Sequence, residues 1–102
     1  MSQKIPELVK ELIKTFDPQA QVILFGSRAR GDYHRGSDWD FLILISDHLY
    51  SKAFKHQLWN ELYQLELDYD IVLNTIIRAK GEWAKRAITS LYETITREGI
   101  EA

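Results

Sequence analysis

The sequence predicts a small α/β (α+β) domain, a mixed sheet of about three strands packed with helices, and three observations carry that expectation. Apolar residues recur at helical spacing over Ile5 to Phe16 and again over Phe54 to Leu65. Two short apolar runs, VILF and WDFLILI, flank a loop rich in Gly, Ser and Arg. A further run, DYDIVLNTII, follows the second helical segment. With 102 residues and 45% apolar content the chain suffices for one core, so residues 1–102 are expected to form a single domain.

In order along the chain, Ile5, Leu8, Val9, Leu12, Ile13 and Phe16 form one apolar helical face, with Pro6 acceptable in the first turn and Asp17-Pro18 as the stop. Val22 to Phe25 is continuous and apolar, which predicts a short strand covered on both faces. A second strand is expected over Trp39 to Ile45. From about Tyr50 to Leu67 the positions Phe54, Leu58, Leu62 and Leu65 predict a long helix crossing back over the sheet. DYDIVLNTII predicts a third strand, and GEWAKRAITSLYETITREGIEA two helical pieces broken near Thr89-Ser90 and closed by Gly99.

Several function classes are excluded at this level. No apolar run reaches the length of a membrane span, and MSQKIPELVKELIK mixes charges where a secretory signal needs an apolar stretch, so a cytoplasmic protein with no membrane partner is expected. Without cysteine there is neither disulfide nor thiolate metal site, and any metal must be held by oxygen or histidine. The net charge of -2 speaks against direct nucleic-acid binding. Arg28, Arg30 and Arg35 nevertheless crowd one loop, which points to a small anion.

The second strand opens with two like charges. Alternation places Asp38 and Asp40 on one face while Trp39 and Phe41 point to the core. On its own this is an ordinary polar strand end. If DYDIVL is a neighbouring strand, however, Asp68 and Asp70 repeat the arrangement, and several carboxylates converge. Such a cluster needs a proton or a cation, and Mg²⁺ with oxygen ligands is the natural one; two ions would clamp both oxygens of an in-line displacement at phosphorus. The loop adds Gly26 for close backbone approach, Ser27 for a hydroxyl and N–H, and arginines for phosphate oxygens. No Gly-Lys-Ser/Thr follows, and the spacing is not that of a dinucleotide fingerprint, so P-loop and Rossmann sites are set aside.

Gly26-Ser27, ten residues, then Asp38-Trp39-Asp40 resembles the signature of the DNA polymerase beta-like nucleotidyltransferase superfamily, and GSRARG with GSDWD resembles its smallest branch, the minimal nucleotidyltransferases (MNT domains). The resemblance covers nearly the whole chain. It implies the minimal nucleotidyltransferase fold, with Gly26 and Ser27 on the nucleotide phosphates, Asp38 and Asp40 as metal ligands, and Asp70 as the third catalytic and metal-binding carboxylate. Asp68 is its competitor for that place. Arg30, and with weaker correspondence Arg28, would lie on the phosphate side. The implied reaction is transfer of a nucleotidyl group from a triphosphate, ATP by default, with Mg²⁺, in two copies, as cofactor.

The resemblance also implies a partner. MNT domains accompany HEPN-domain toxins as antitoxins in hetero-oligomers, and members of the branch transfer AMP to a tyrosine of the toxin. About thirty residues follow Asp70, too few for a separate acceptor domain, so the acceptor is expected to bring its own surface. Two alternatives stand: an antitoxin that neutralises its partner by binding alone, and an enzyme acting on a small hydroxylated molecule or an RNA end. Of the other residues that draw attention, His34, His48 and His56 lack a metal-ligand spacing and are expected at the surface. Trp59 and Tyr63 extend the core contact or form a partner-facing patch, with core favoured, and Trp83, Leu91 and Tyr92 pose the same question. Tyr33 is a loop residue that could stack on a base, with a bystander role favoured.

Overall fold

In the computed structural model, residues 4–85 and 89–102 are described. The order is α1 (Lys4–Phe16), β1 (Gln21–Phe25), α2 (Ser27–Arg30), β2 (Trp39–Ile45), α3 (Lys52–Tyr69), β3 (Leu73–Ala79), α4 (Lys80–Ala84), α5 (Ser90–Glu98) and β4 (Ile100–Glu101). The predicted mixed sheet is present with four strands in the order β3-β2-β1-β4. β1 pairs antiparallel with β2 and β4, while β2 pairs parallel with β3. The additional strand is only two residues long, below what a pattern can signal.

Every second residue of β2 faces the same side of the sheet, so one strand serves two cores. Trp39, Phe41, Ile43 and Ile45 join Ile5, Val9 and Ile13 of α1 and Leu58 and Leu62 of α3. Leu42 and Leu44 face the other way, against Trp83 and Ile95. The helical rhythm read for α1 therefore marks its buried stripe. Tyr92 is half-buried and stacks on Trp83 at 5.2 Å between ring centroids, whereas Leu91 is exposed. Residues 86–88 of the tail lie outside the described residues.

α1 is closed by a buried carboxylate. Asp17 is 1% exposed, and accepts from the Ser46 N–H at 2.8 Å, the Ser46 hydroxyl at 3.1 Å and the Gln19 N–H at 3.1 Å. Burial alone would raise its pKa. The three hydrogen bonds, together with the charge of Lys80, overcome that and hold it below the usual aspartate value. Asp17 thus pins the end of α1 to the end of β2, a link that the sequence reading took only as a helix stop.

Two expectations are corrected. α3 continues through Asp68 to Tyr69, and β3 begins only at Leu73, so Asp68 and Asp70 are not strand residues. Asp70 is the C-cap of α3 in the left-handed region, with φ 52°, a conformation that Asp tolerates better than most side chains. Its N–H and that of Ile71 both bond to the Glu66 carbonyl, while the Glu66 carboxylate takes the Leu73 N–H at 2.8 Å. Glu66 therefore sets where the helix stops and the strand starts. The second correction concerns Trp59 and Tyr63, which are 39% and 60% exposed and lie on the outer face of α3 instead of in the core. Among the described residues, no helix is long and apolar enough to cross a membrane.

Candidate active site

The site is built where β1 ends beside the start of β2. Phe25 is in register with Asp40, so the chain leaving β1 must pass the Asp40 carboxylate at once. Gly26 makes that passage with φ 77° and ψ -160°, a conformation that a side chain resists. A Cβ at this position would overlap Asp40 Oδ2 and lie 3.0 Å from Asp40 Cγ. Gly26 is thus required both for its backbone angle and for the space that the carboxylate fills. The single helical turn α2 follows, with Ser27 as its first residue and Gly31 closing it in the left-handed region. The opening N–H groups of such a turn have no partner within it, which leaves them available to an anion.

Arg28 holds the return of the loop. Its Nε and Nη2 donate to the Ser37 carbonyl at 3.3 and 2.9 Å, and its guanidinium lies 4.1 Å from the Trp39 ring centroid and 4.6 Å from that of Tyr33. Trp39 is buried, so this anchor brings the loop back immediately before Asp38. Tyr33, although 45% exposed, is thereby engaged with Arg28. Arg30 turns toward α5 and pairs with Asp32 and Glu98, each at 3.1 Å. The hydrogen bonds it donates to the Asp32 and Glu98 carboxylates raise its pKa further. Arg35 is exposed on the same loop.

Asp38 and Asp40 come together as strand alternation predicts, with Asp38 exposed and Asp40 half-buried. Their common neighbour is Asn74. The parallel register sets Asn74 opposite Asp40, and its Nδ2 donates to Asp38 Oδ2 at 2.9 Å and to Asp40 Oδ1 at 3.0 Å. Asp70 does not join them, because it caps α3; Asp68, one turn from that end, accepts from Gln64 at 3.0 Å. Among the described residues, no three His, Asp or Glu side chains gather closely enough to hold a metal ion. The polar residue at this place on β3 is an amide, which sequence reading passed over. Its signal was the amide Asn74, followed by Thr75, inside the otherwise apolar run IVLNTII.

Asp38 and Asp40 nevertheless fit a hard divalent cation. Oxygens from both carboxylates converge on one hydrogen-bond donor, so the space between them favours positive charge, and Asn74 carries an amide oxygen as a further hard donor. A cleft of about 310 Å³ bordered by Leu24, Arg28, Tyr33, Trp39 and Ile100 is separate from this place. Leu24 and Trp39 belong to the α1 side of the sheet, away from Asp40. The carboxylate edge, unlike this cleft, offers a divalent cation two carboxylates and an amide oxygen. His34, His48 and His56 are all exposed.

Comparison with known proteins shows the family. Residues 4–99 match the family model described as nucleotidyltransferase domain. A Methanocaldococcus jannaschii protein provisionally named a protein adenylyltransferase is 35% identical over 103 aligned residues, covering 96% of this chain and 98% of its own. The protein adenylyltransferase MntA of Aphanizomenon flos-aquae is 37% identical over 110 aligned residues, covering 91% of this chain and 73% of its own. The fold resembles that of a chain in the crystal structure of a toxin–antitoxin with AMP-PNP, with a TM-score of 0.66, 22% identity, and coverage of 94% of this chain and 70% of that one.

Proposed function

The chain belongs to the nucleotidyltransferase domain family, and from that premise we propose that it transfers AMP from ATP to a hydroxyl of a protein partner. The partner is a HEPN-domain toxin, the acceptor a tyrosine, and the chain acts as antitoxin. Both relatives described above are named protein adenylyltransferases, the Methanocaldococcus jannaschii one provisionally, and a structural neighbour is a toxin–antitoxin with AMP-PNP. The observation that carries the reading is the contact of loop and carboxylate: Gly26 gives Asp40 its space, so a phosphate bound on the loop lies beside the acidic pair.

In this mechanism the N–H groups at Gly26 and Ser27 and the Ser27 hydroxyl bind the triphosphate and orient its α-phosphorus. Asp38 and Asp40 would hold Mg²⁺, which would supply charge neutralisation at the phosphate oxygens. The tyrosine oxygen forms a bond to the α-phosphorus, the bond to the bridging oxygen of pyrophosphate breaks, and the phenolic proton passes to water. Arg28 contributes by fixing the loop, and Arg30, paired with Asp32 and Glu98, ties the same loop to α5. Asp70 is left out of the ligand set because of its place at the end of α3.

One observation favours a second reading, neutralisation by binding without chemistry: an amide, not a third carboxylate, flanks Asp38 and Asp40. Intact-mass spectrometry of the HEPN-domain partner after incubation with this protein, ATP and Mg²⁺ separates the two. Addition of AMP that is absent with the Asp38→Asn/Asp40→Asn variant is the expected result. A tight complex with unchanged partner mass would establish neutralisation by binding.

A further inference from the structure

We infer that Asn74 is a positioning residue of the cation site, holding Asp38 and Asp40 as a pair before a cation arrives and presenting its amide oxygen once one is bound. The inference rests on the metal-dependent reading above, and concerns a residue which that reading did not need.

The amide orientation follows from its surroundings. Nδ2 carries two hydrogens, one for each carboxylate, and the distances of 2.9 and 3.0 Å are ordinary hydrogen bonds. The opposite orientation would set Oδ1 against two anionic oxygens at the same separations. With a cation between the carboxylates the preference reverses, because the ion repels the N–H groups and attracts the carbonyl oxygen. The torsion that exchanges the two is the terminal bond of the side chain, broad and nearly two-fold, so the exchange requires no movement of β3. Asn74 is exposed and in register with Asp40, which leaves it room to turn.

The choice of an amide also has a consequence for affinity. A carboxylate at this place would add a third negative charge, binding the cation more tightly but repelling Asp38 and Asp40 in its absence. Asn74 instead neutralises part of that repulsion. The site remains ordered without metal, at the expense of affinity for it.

The test is Mn²⁺ binding, followed by electron paramagnetic resonance, on the full chain carrying Asn74→Asp, Asn74→Ala or Asn74→Ser, with the Asp38→Asn/Asp40→Asn variant as control. Melting in EDTA and in saturating Mn²⁺ is recorded in parallel. Asn74→Asp is expected to tighten Mn²⁺ binding by about 10- to 100-fold, and the Ala and Ser variants to weaken it by about tenfold, the range found for groups that support a metal site. Asn74→Asp should also melt lower than wild type in EDTA and gain more on adding Mn²⁺. A purely structural role would not move stability in opposite directions in the two conditions. Binding by Asn74→Asp where wild type binds too weakly to detect would equally support the inference. Unchanged affinity in the Asp and Ala variants, or no binding by any variant, would overturn it. Metal binding that responds to Asn74 without AMP transfer would instead overturn the proposed function and leave the role of Asn74 standing.

Discussion

Gly26 and Asp40 occupy one shared space: a Cβ on the glycine would overlap the carboxylate oxygen Oδ2. Gly26→Ala therefore has two separable effects. The backbone angle alone should lower stability by about 1–3 kcal/mol. Displacement of Asp40 should reduce transfer by more than about 100-fold, because misplacing reacting groups by about 1 Å is enough for that. Thermal melting and the partner-mass assay read the two effects independently; near-normal transfer would show that Asp40 is not where the reaction needs it.

Removing the charge from both Asp38 and Asp40 should abolish transfer without unfolding the protein. With asparagine at both positions the site keeps its shape and loses like-charge repulsion, so the variant is expected to melt at or above the wild-type temperature in EDTA. Loss of folding, seen by circular dichroism, would mean that the pair has a structural task.

Asp17 makes stability depend on pH. Its pKa is depressed in the folded state, since the hydrogen bonds from Ser46 and Gln19 and the charge of Lys80 outweigh burial. The stabilisation is therefore fully present above the unfolded value of about 3.9, and is lost as pH falls through the lower folded value. Asp17→Ala should cost about 1–3 kcal/mol for each buried donor left unpaired, and should flatten the acid limb of a denaturation profile taken from pH 6 downward. An acid limb identical to wild type would assign it to other carboxylates.

Arg28 should behave as a clamp and not as a phosphate ligand. Arg28→Ala removes two hydrogen bonds to the Ser37 carbonyl and the contact with Trp39, and is expected to destabilise by about 1–3 kcal/mol and to speed proteolytic cutting within residues 31–37. Arg28→Lys should not restore the wild type, because a lysine ammonium lacks the planar fork. A raised KM for ATP with unchanged melting would return Arg28 to the nucleotide.

What could be read early was local. Asp38 and Asp40 share a face because alternate strand residues must, and Trp39 with Phe41 turns inward for the same reason. Gly26-Ser27 stood out because few reasons exist to place that pair directly after a buried strand. The third strand was misread because ELDYD both alternates like a strand and continues the turns of α3. The decision lies with Glu66, whose carbonyl and carboxylate take N–H groups on either side of the boundary. The exposure of Trp59 and Tyr63 was equally undecidable, because a stripe beside the buried face of a helix can be core or surface according to how wide the covering layer is.

The sequence by itself determined the class of fold, α1 and the first two strands, the acidic pair and the loop that serves it, since each follows from short-range periodicity or from a residue type with few alternative uses. Only the tertiary structure decided that Asn74 and not Asp70 stands beside that pair. Their pairing spans 34 residues between Asp40 and Asn74, across a helix whose end is set by a side chain rather than by a repeat. Shifting the start of a strand by a few residues leaves composition and hydrophobicity unchanged, yet it changes which side chain meets the carboxylates, and that register is set only when the two strands hydrogen-bond.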